Sequence, residues 1–336
     1  MQRALSLVAC TLFACGPEGL WPELDAPLST GEKHRLAPSS FGHVIEATGG
    51  WWLVLDHRPS EQWRVGDPSL ANTGDPGVVV LEAEVDRATL PAQVLAWHGR
   101  QVQLLDREQP RCIGVVGRVA LLGPLEPPIG FPGDDGAHMS EADLARTLWG
   151  MSAPVLAARL ELVSGDCSGS TWGRAADTPA PLIARGMAAP PELASSALAA
   201  FQQLQAYAEI DQAYHGSDNN EDNDEDKAGP WENADGGSPD VSLFEDQASG
   251  AALVVVSVMA GSHCSEFLGQ LTGVWRVVGD RLELLGVAED YVVPEAAVDL
   301  EGDGTPELLF YHGVLQLEGG VAKQHELKVA YFGCPC

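Results

Sequence analysis

The sequence predicts a mainly β chain with a few helices: two antiparallel β-rich domains, each a small barrel or sandwich, joined by a helix and an acidic linker. Three observations predict it. Short apolar runs bounded by Gly, Pro and Asp recur over residues 43–122 and again over 253–332, the pattern of short strands and tight turns. Helical periodicity is confined to two stretches, after Ser140 and after Pro190. Between the two β-rich regions, residues 209–246 hold thirteen acids and one base, Lys227.

The elements follow in order. His43–Ala47, Trp51–Asp56 and Val78–Val85 read as strands, then Gln93–Trp97, Gln101–Asp106 and Ile113–Leu122. His98-Gly99-Arg100 reads as a hairpin turn between Gln93–Trp97 and Gln101–Asp106. Ser140 is a good N-cap, and Glu141 and Asp143 complement the dipole of the first turn. Leu144 and Leu148 share a face of that helix, which stops at Gly150, and Pro154–Val163 returns to a strand. The second helix starts at Pro190-Pro191-Glu192, since proline is tolerated in a first turn. Leu193, Leu198, Phe201, Leu204 and Tyr207 form its apolar face, expected to pack between the two halves. Leu253–Val258 is a continuous apolar strand. Val274–Val278 and Leu282–Leu285 flank Gly279-Asp280, a hairpin signal, and Val292, Leu308–Tyr311 and Leu327–Phe332 complete the second β region. The expected organisation is therefore an N-terminal segment 1–15, a tether 16–40, a β-rich domain with a helical insert 41–175, a helix-containing connector 176–215, an acidic linker 216–248 and an antiparallel β domain 249–336.

Composition excludes some functions. Acids outnumber bases 48 to 19, giving a net charge of −29. Nucleic acid is an unsuitable partner, because phosphate contacts need clustered Lys and Arg. An anionic membrane surface repels the folded part as well. Divalent cations and basic partners remain, and a protein or carbohydrate partner is left open.

Residues 1–15 read MQRALSLVACTLFAC. Arg3 supplies a positive start, and Ala4 to Ala14 is an apolar stretch too short to span a bilayer. Leu12, Ala14 and Cys15 resemble the lipobox of bacterial lipoproteins. That resemblance implies a signal peptide cleaved before Cys15, a lipid on Cys15 as membrane anchor, and a place in the cell envelope, at the outer membrane or cell surface. Phe13 departs from the usual small or β-branched residue. Leu7-Val8-Ala9-Cys10 matches the motif better, but leaves only a six-residue apolar stretch, which favours Cys15.

An exported body is oxidised, where disulfides persist. Beyond Cys15 stand Cys112, Cys167, Cys264, Cys334 and Cys336. The simplest arrangement pairs Cys112 with Cys167, and Cys264 with Cys334 or Cys336. His263 and Cys264, with the terminal Cys334-Pro335-Cys336, also offer the thiolate and imidazole ligands that zinc takes.

One motif carries chemistry. Residues 299–308 read DLEGDGTPEL. Acids stand at positions one, three, five and nine (Asp299, Glu301, Asp303, Glu307), with Gly304 at position six, where a sharp turn is needed. The loop resembles the calcium loop of FG-GAP and VCBS repeats, the integrin-type propeller blades, and the first part of an EF-hand. The resemblance implies calcium bound by Asp299, Glu301, Asp303, the Thr305 carbonyl and Glu307, since calcium takes six to eight oxygens. Glu301 and Glu307 stand where shorter acids are usual, and a single copy does not imply a propeller, which needs about four to eight blades.

No catalytic signature is complete. Gly165-Asp166-Cys167-Ser168-Gly169 resembles the serine motif of trypsin-like proteases with a cysteine inserted, which displaces the nucleophile from its oxyanion donors. Trp51-Trp52 face opposite sides of a strand, one for the core and the other exposed or at an interface. The reading is a non-catalytic, lipid-anchored envelope protein with a calcium-stabilised β domain. The alternatives are an exported hydrolase with a dispersed site and a carbohydrate- or peptide-binding module.

Overall fold

The computed structural model describes residues 41–47, 50–57, 59–71, 79–106, 109–126, 139–177, 183–216, 229–245, 250–261, 267–300, 305–310, 313–318, 320–326 and 330–331. They belong to one compact unit, Pro38–Cys336. Residues 1–40, and with them Cys10 and Cys15, lie outside the described residues, as do Cys264, Cys334 and Cys336.

The fold is mainly β and built on two closed barrels. The first contains β1 (Phe41–Ala47), β2 (Gly50–Asp56), β3 (Arg64–Ala71), β4 (Val79–Val85), a single helical turn α1 (Ala92–Leu95), β5 (Gln101–Leu105), β6 (Pro110–Glu126), α2 (Glu141–Trp149), β7 (Val155–Gly165) and β8 (Trp172–Ala175). Antiparallel pairing runs β1-β2-β7-β6-β5-β8 and back to β1. The long strand β6 makes this possible. Its first half pairs with β5 and its second half with β4, while β7 follows both halves.

Strand alternation sorts the side chains. Val44, Leu53, Ala158, Leu160, Val116, Val102 and Leu104 turn inward together. Six strands leave a narrow interior, so small residues stand where walls approach. A Cβ on Gly173 would lie 2.8 Å from Leu53 Cδ1 and 3.0 Å from Val102 Cγ1. The opposite face is buried too: Ile45, Trp52, Val54, Val80, Ala120, Leu122 and Ala157 form a second cluster. A third, beneath α2, joins Leu81, Leu121 and Leu156 to Ala145, Leu148 and Trp149. Ser140 caps α2, its Oγ accepting from the Asp143 amide at 3.1 Å.

Two elements differ from the expectation. Gln93–Trp97 is not a strand: Pro91 starts α1, and Val94 and Trp97, three residues apart, share its buried face. Positive φ at Gly99 then turns the chain into β5. Arg64–Ala71 is a strand despite Gly66 and Pro68. It pairs only with β4 among the described strands, and a register shift between Val65 and Ser69 takes up the proline.

The second barrel contains β9 (Ile183–Ala188), α3 (Pro191–Phe201), α4 (Gln205–Gly216), a 3-10 helix over Trp231–Gly236, β10 (Asp240–Glu245), β11 (Ala252–Gly261), β12 (Leu268–Val278), β13 (Arg281–Ala288), β14 (Ala296–Val298), β15 (Glu307–Phe310), β16 (Gly313–Glu318) and β17 (Gly320–Glu326). Its ring order is β9-β10-β11-β12-β13-β17-β16-β15-β14. Each antiparallel junction reverses direction, so a closed ring of nine strands cannot be antiparallel throughout. The parallel junction is β13 with β17, through Gly286↔Gly320 and Val287↔Val321 only. A last strand, β18 (Ala330–Tyr331), leaves this barrel and pairs in parallel with β6 of the first, at Leu125 and Glu126.

The domain boundaries therefore move. The expected connector 176–215 and linker 216–248 carry β9 and β10, which close the second barrel. The acidity of 209–246 concealed this, because Trp231 and Phe244 within it are fully buried. The periodic stretch after Pro190 forms two helices, interrupted at 202–204, that lie against the outer wall of the second barrel. Phe201, Tyr207 and Tyr214 pack there with Trp231, Val254, Val256, Val258 and Trp275. Val292 is not in a strand. It is a buried loop residue whose amide donates to Thr272 Oγ1 (3.0 Å) and whose carbonyl accepts from Ser257 Oγ.

Candidate functional site

The β14–β15 hairpin carries the acidic motif. Ala296, Ala297 and Val298 pair with Leu309, Leu308 and Glu307, so the 299–306 loop springs from a tight two-strand base. Asp299 follows Val298, and Glu307 opens β15 directly opposite Val298. The register thus brings the first and last carboxylates of the motif to one end of the hairpin. Glu307 is 5% exposed, an unusual burial for a carboxylate. Its Oε2 accepts the amide of Leu300 at 2.7 Å, and Leu300 itself is fully buried. A strand residue thereby holds the start of the loop that precedes it. Asp299 and Thr305 are half-buried, and Glu301 and Asp303 lie outside the described residues. Among the described residues no group of three or more His, Cys, Asp or Glu is gathered as for a metal ion. The donor set present at the hairpin base, two carboxylates, is of the oxygen type that calcium accepts.

Cys112 and Cys167 form a disulfide, with Cα atoms 5.2 Å apart and both side chains buried in the first barrel's interior cluster. The neighbouring Ser168 is a turn residue. Its amide and its hydroxyl both donate to Asp166 Oδ1, at 3.0 and 2.7 Å. Those two donors hold the Asp166 carboxyl below the usual carboxylate range. A serine committed to a turn carboxylate, on an exposed loop, lacks the arrangement of an activated nucleophile. Trp52 is buried beneath the Arg118 guanidinium, 4.8 Å from the ring centroid, and Trp51 is half-buried on the interior side. Both tryptophans therefore serve packing.

Two polar clusters escaped the sequence reading. On the outer wall of the first barrel, His43 lies edge-on to His57 (centroids 5.3 Å) and against Trp172 (4.1 Å), with Arg174 on the same strand as Trp172. Register brings His43 to Trp172 and Phe41 to Arg174. No local spacing signals it, since His43 and His57 lie more than a hundred positions from Trp172 and Arg174. On the second barrel, Glu232 is 2% exposed and accepts from Gln202 Nε2 (2.7 Å) and from the Tyr207 hydroxyl. Burial, then the Glu232 carboxylate, pushes the Tyr207 phenol above its ordinary range. This cluster pins the 3-10 helix to α3 and α4. The only hint in the sequence was a Trp-Glu pair interrupting an acidic run.

Among the described residues no helix is long and apolar enough to cross a membrane. No protein family, curated protein or solved structure matches this chain.

Proposed function

We propose that this is a non-catalytic envelope protein, exported, anchored by a lipid on Cys15, whose second barrel is stabilised by calcium in the 299–307 loop. The observation that carries the calcium reading is the loop's construction. A buried carboxylate, Glu307, holds the Leu300 amide, and the register sets Asp299 beside it. Glu301, Asp303 and the Thr305 carbonyl would complete an oxygen set, and the metal would supply charge neutralisation and loop order rather than chemistry. The net charge of −29 favours such a cation. The disulfide in the first barrel accords with export to an oxidising compartment.

The test is a thermal melt of residues 16–336 with calcium and with chelator, beside Asp303→Ala. Calcium at 100 times its dissociation constant adds about 2.7 kcal/mol, a rise of roughly 5 °C or more, and the mutant loses that rise. An equal melt with calcium and with chelator, up to millimolar calcium, rejects the calcium site.

A further inference from the structure

The second barrel leaves one strand edge uncovered. β13 pairs with β12 from Arg281 to Ala288, but with β17 only at Gly286 and Val287. β16 and β17 turn over at Glu318↔Val321, level with that seam, so among the described strands none runs beside Arg281–Leu285. Arg281, Glu283 and Leu284 are exposed, and so is Val321 at the seam. A bare edge offers a row of backbone donors and acceptors to another strand. The edge strand of the first barrel, β3, is blunted by Pro68 and a register shift. Arg281–Leu284 has no proline, and its register shift lies behind it, at Leu285.

The side chains select the partner. Register puts Val277 opposite Leu282 on the face that packs with α3 and α4, and Arg276 opposite Glu283 on the other face. Laid antiparallel to itself, with Leu282 facing Leu282 of a second copy, the edge sets Arg281 opposite Glu283 of that copy and Glu283 opposite its Arg281. Apolar side chains then meet on one face. On the other, an Arg276–Glu283–Arg281 ladder crosses the junction, twice by symmetry. Centring the pairing on Arg281 or on Glu283 instead puts like charges opposite each other, which destabilises. We propose that Arg281–Leu284 is a self-association edge, through which two copies of this chain join their second barrels into one continuous antiparallel sheet. So short a pairing makes a weak, reversible dimer. The net charge of −29 opposes it at long range, but salt at about 0.15 M screens charges farther apart than roughly 8 Å. The dimer does not depend on the calcium reading, since no residue of the 299–307 loop takes part.

The experiment is sedimentation of the full chain over a concentration series at that ionic strength, with hydrogen exchange read at 281–284. The wild type is expected to dimerise as concentration rises, and exchange at 281–284 to slow with it. Arg281→Glu and Glu283→Arg each set like charges across both ladders, so each alone is expected to dimerise about tenfold more weakly. Mixed one to one, the two variants restore opposite charges at both positions, and the mixture is expected to associate like the wild type, with one chain of each kind per dimer. A wild type that stays monomeric into the millimolar range overturns the proposal. So does association that Arg281→Glu leaves unchanged, a mixture no tighter than its components, or dimers in which 281–284 exchange as fast as in the monomer. Arg281 lies opposite Val278 in its own hairpin, so Arg281→Glu spares the Arg276–Glu283 register and decides the matter even where Glu283→Arg fails to fold.

Discussion

The two barrels face the same problem, closing a sheet on itself, and solve it differently. The first has an even ring, antiparallel at every junction, and a covalent staple in its interior between Cys112 and Cys167. Much of its sheet is buried on both faces, by one cluster inside the ring and another on the outer wall. The second has an odd ring, one parallel junction of two residue pairs, and α3, α4 and the 3-10 helix on one side only. Its interior is apolar around Phe244, Leu253, Val255, Val274, Leu308 and Leu315, but its floor is polar: Ser257 and Thr272 hold the 290–292 loop by hydrogen bonds. In the first barrel a glycine at 173 lets the walls approach where a Cβ would meet Leu53 and Val102. Non-covalent closure makes the second depend on buried polar groups that must all be satisfied.

The contrast is open to three measurements. Replacing Cys112 and Cys167 by Ala removes a cross-link spanning 55 residues, on the order of 4 kcal/mol in the chain-entropy view. Exchange at β5–β8 should rise by the corresponding factor, while β11 and β12 stay protected. Equal losses in both barrels would mean that they unfold as one unit and that the staple serves both. Thr272→Val strikes the second barrel instead. Thr272 Oγ1 accepts from the Val292 amide and donates to the Asp290 carbonyl at 2.8 Å, so the isosteric change orphans buried groups and costs about 2 kcal/mol in denaturant melts. A neutral result would show that water replaces the hydroxyl and that the floor is less dry than its burial suggests.

The third measurement is a pH series. The folded Tyr207 phenol is raised above its unfolded value of 10.0. The stability tied to its protonated form is therefore complete below pH 10 and is lost as pH climbs toward the folded value. Chemical melts of the wild type should weaken above pH 10 more steeply than those of Tyr207→Phe. Parallel curves would remove Tyr207 from the account of alkaline sensitivity.

Local features were readable from residues alone. Ser140 before two acids announced α2, Gly279-Asp280 announced the β12–β13 turn, and an apolar run announced β11. Burial of 231–244 was not readable, because charge density there masks Trp231 and Phe244. Nor was β3, whose Gly66 and Pro68 violate strand preferences that an edge position relaxes. At the candidate site, spacing alone marked Asp299 and Glu307. The contact of His43 with Trp172 was not legible, because strand pairing makes it across 129 positions.

The parallel seam sets an order of events during synthesis. Gly286 and Val287 emerge from the ribosome more than thirty residues before their partners Gly320 and Val321. Until then Leu253, Val255 and Val274 lack Leu308, Leu315 and Ala322, which share their cluster in the folded barrel, and uncovered apolar surface invites misassembly. Under the export proposed above, translocation in the unfolded state would avoid that interval altogether, and both barrels would close only on the far side of the membrane.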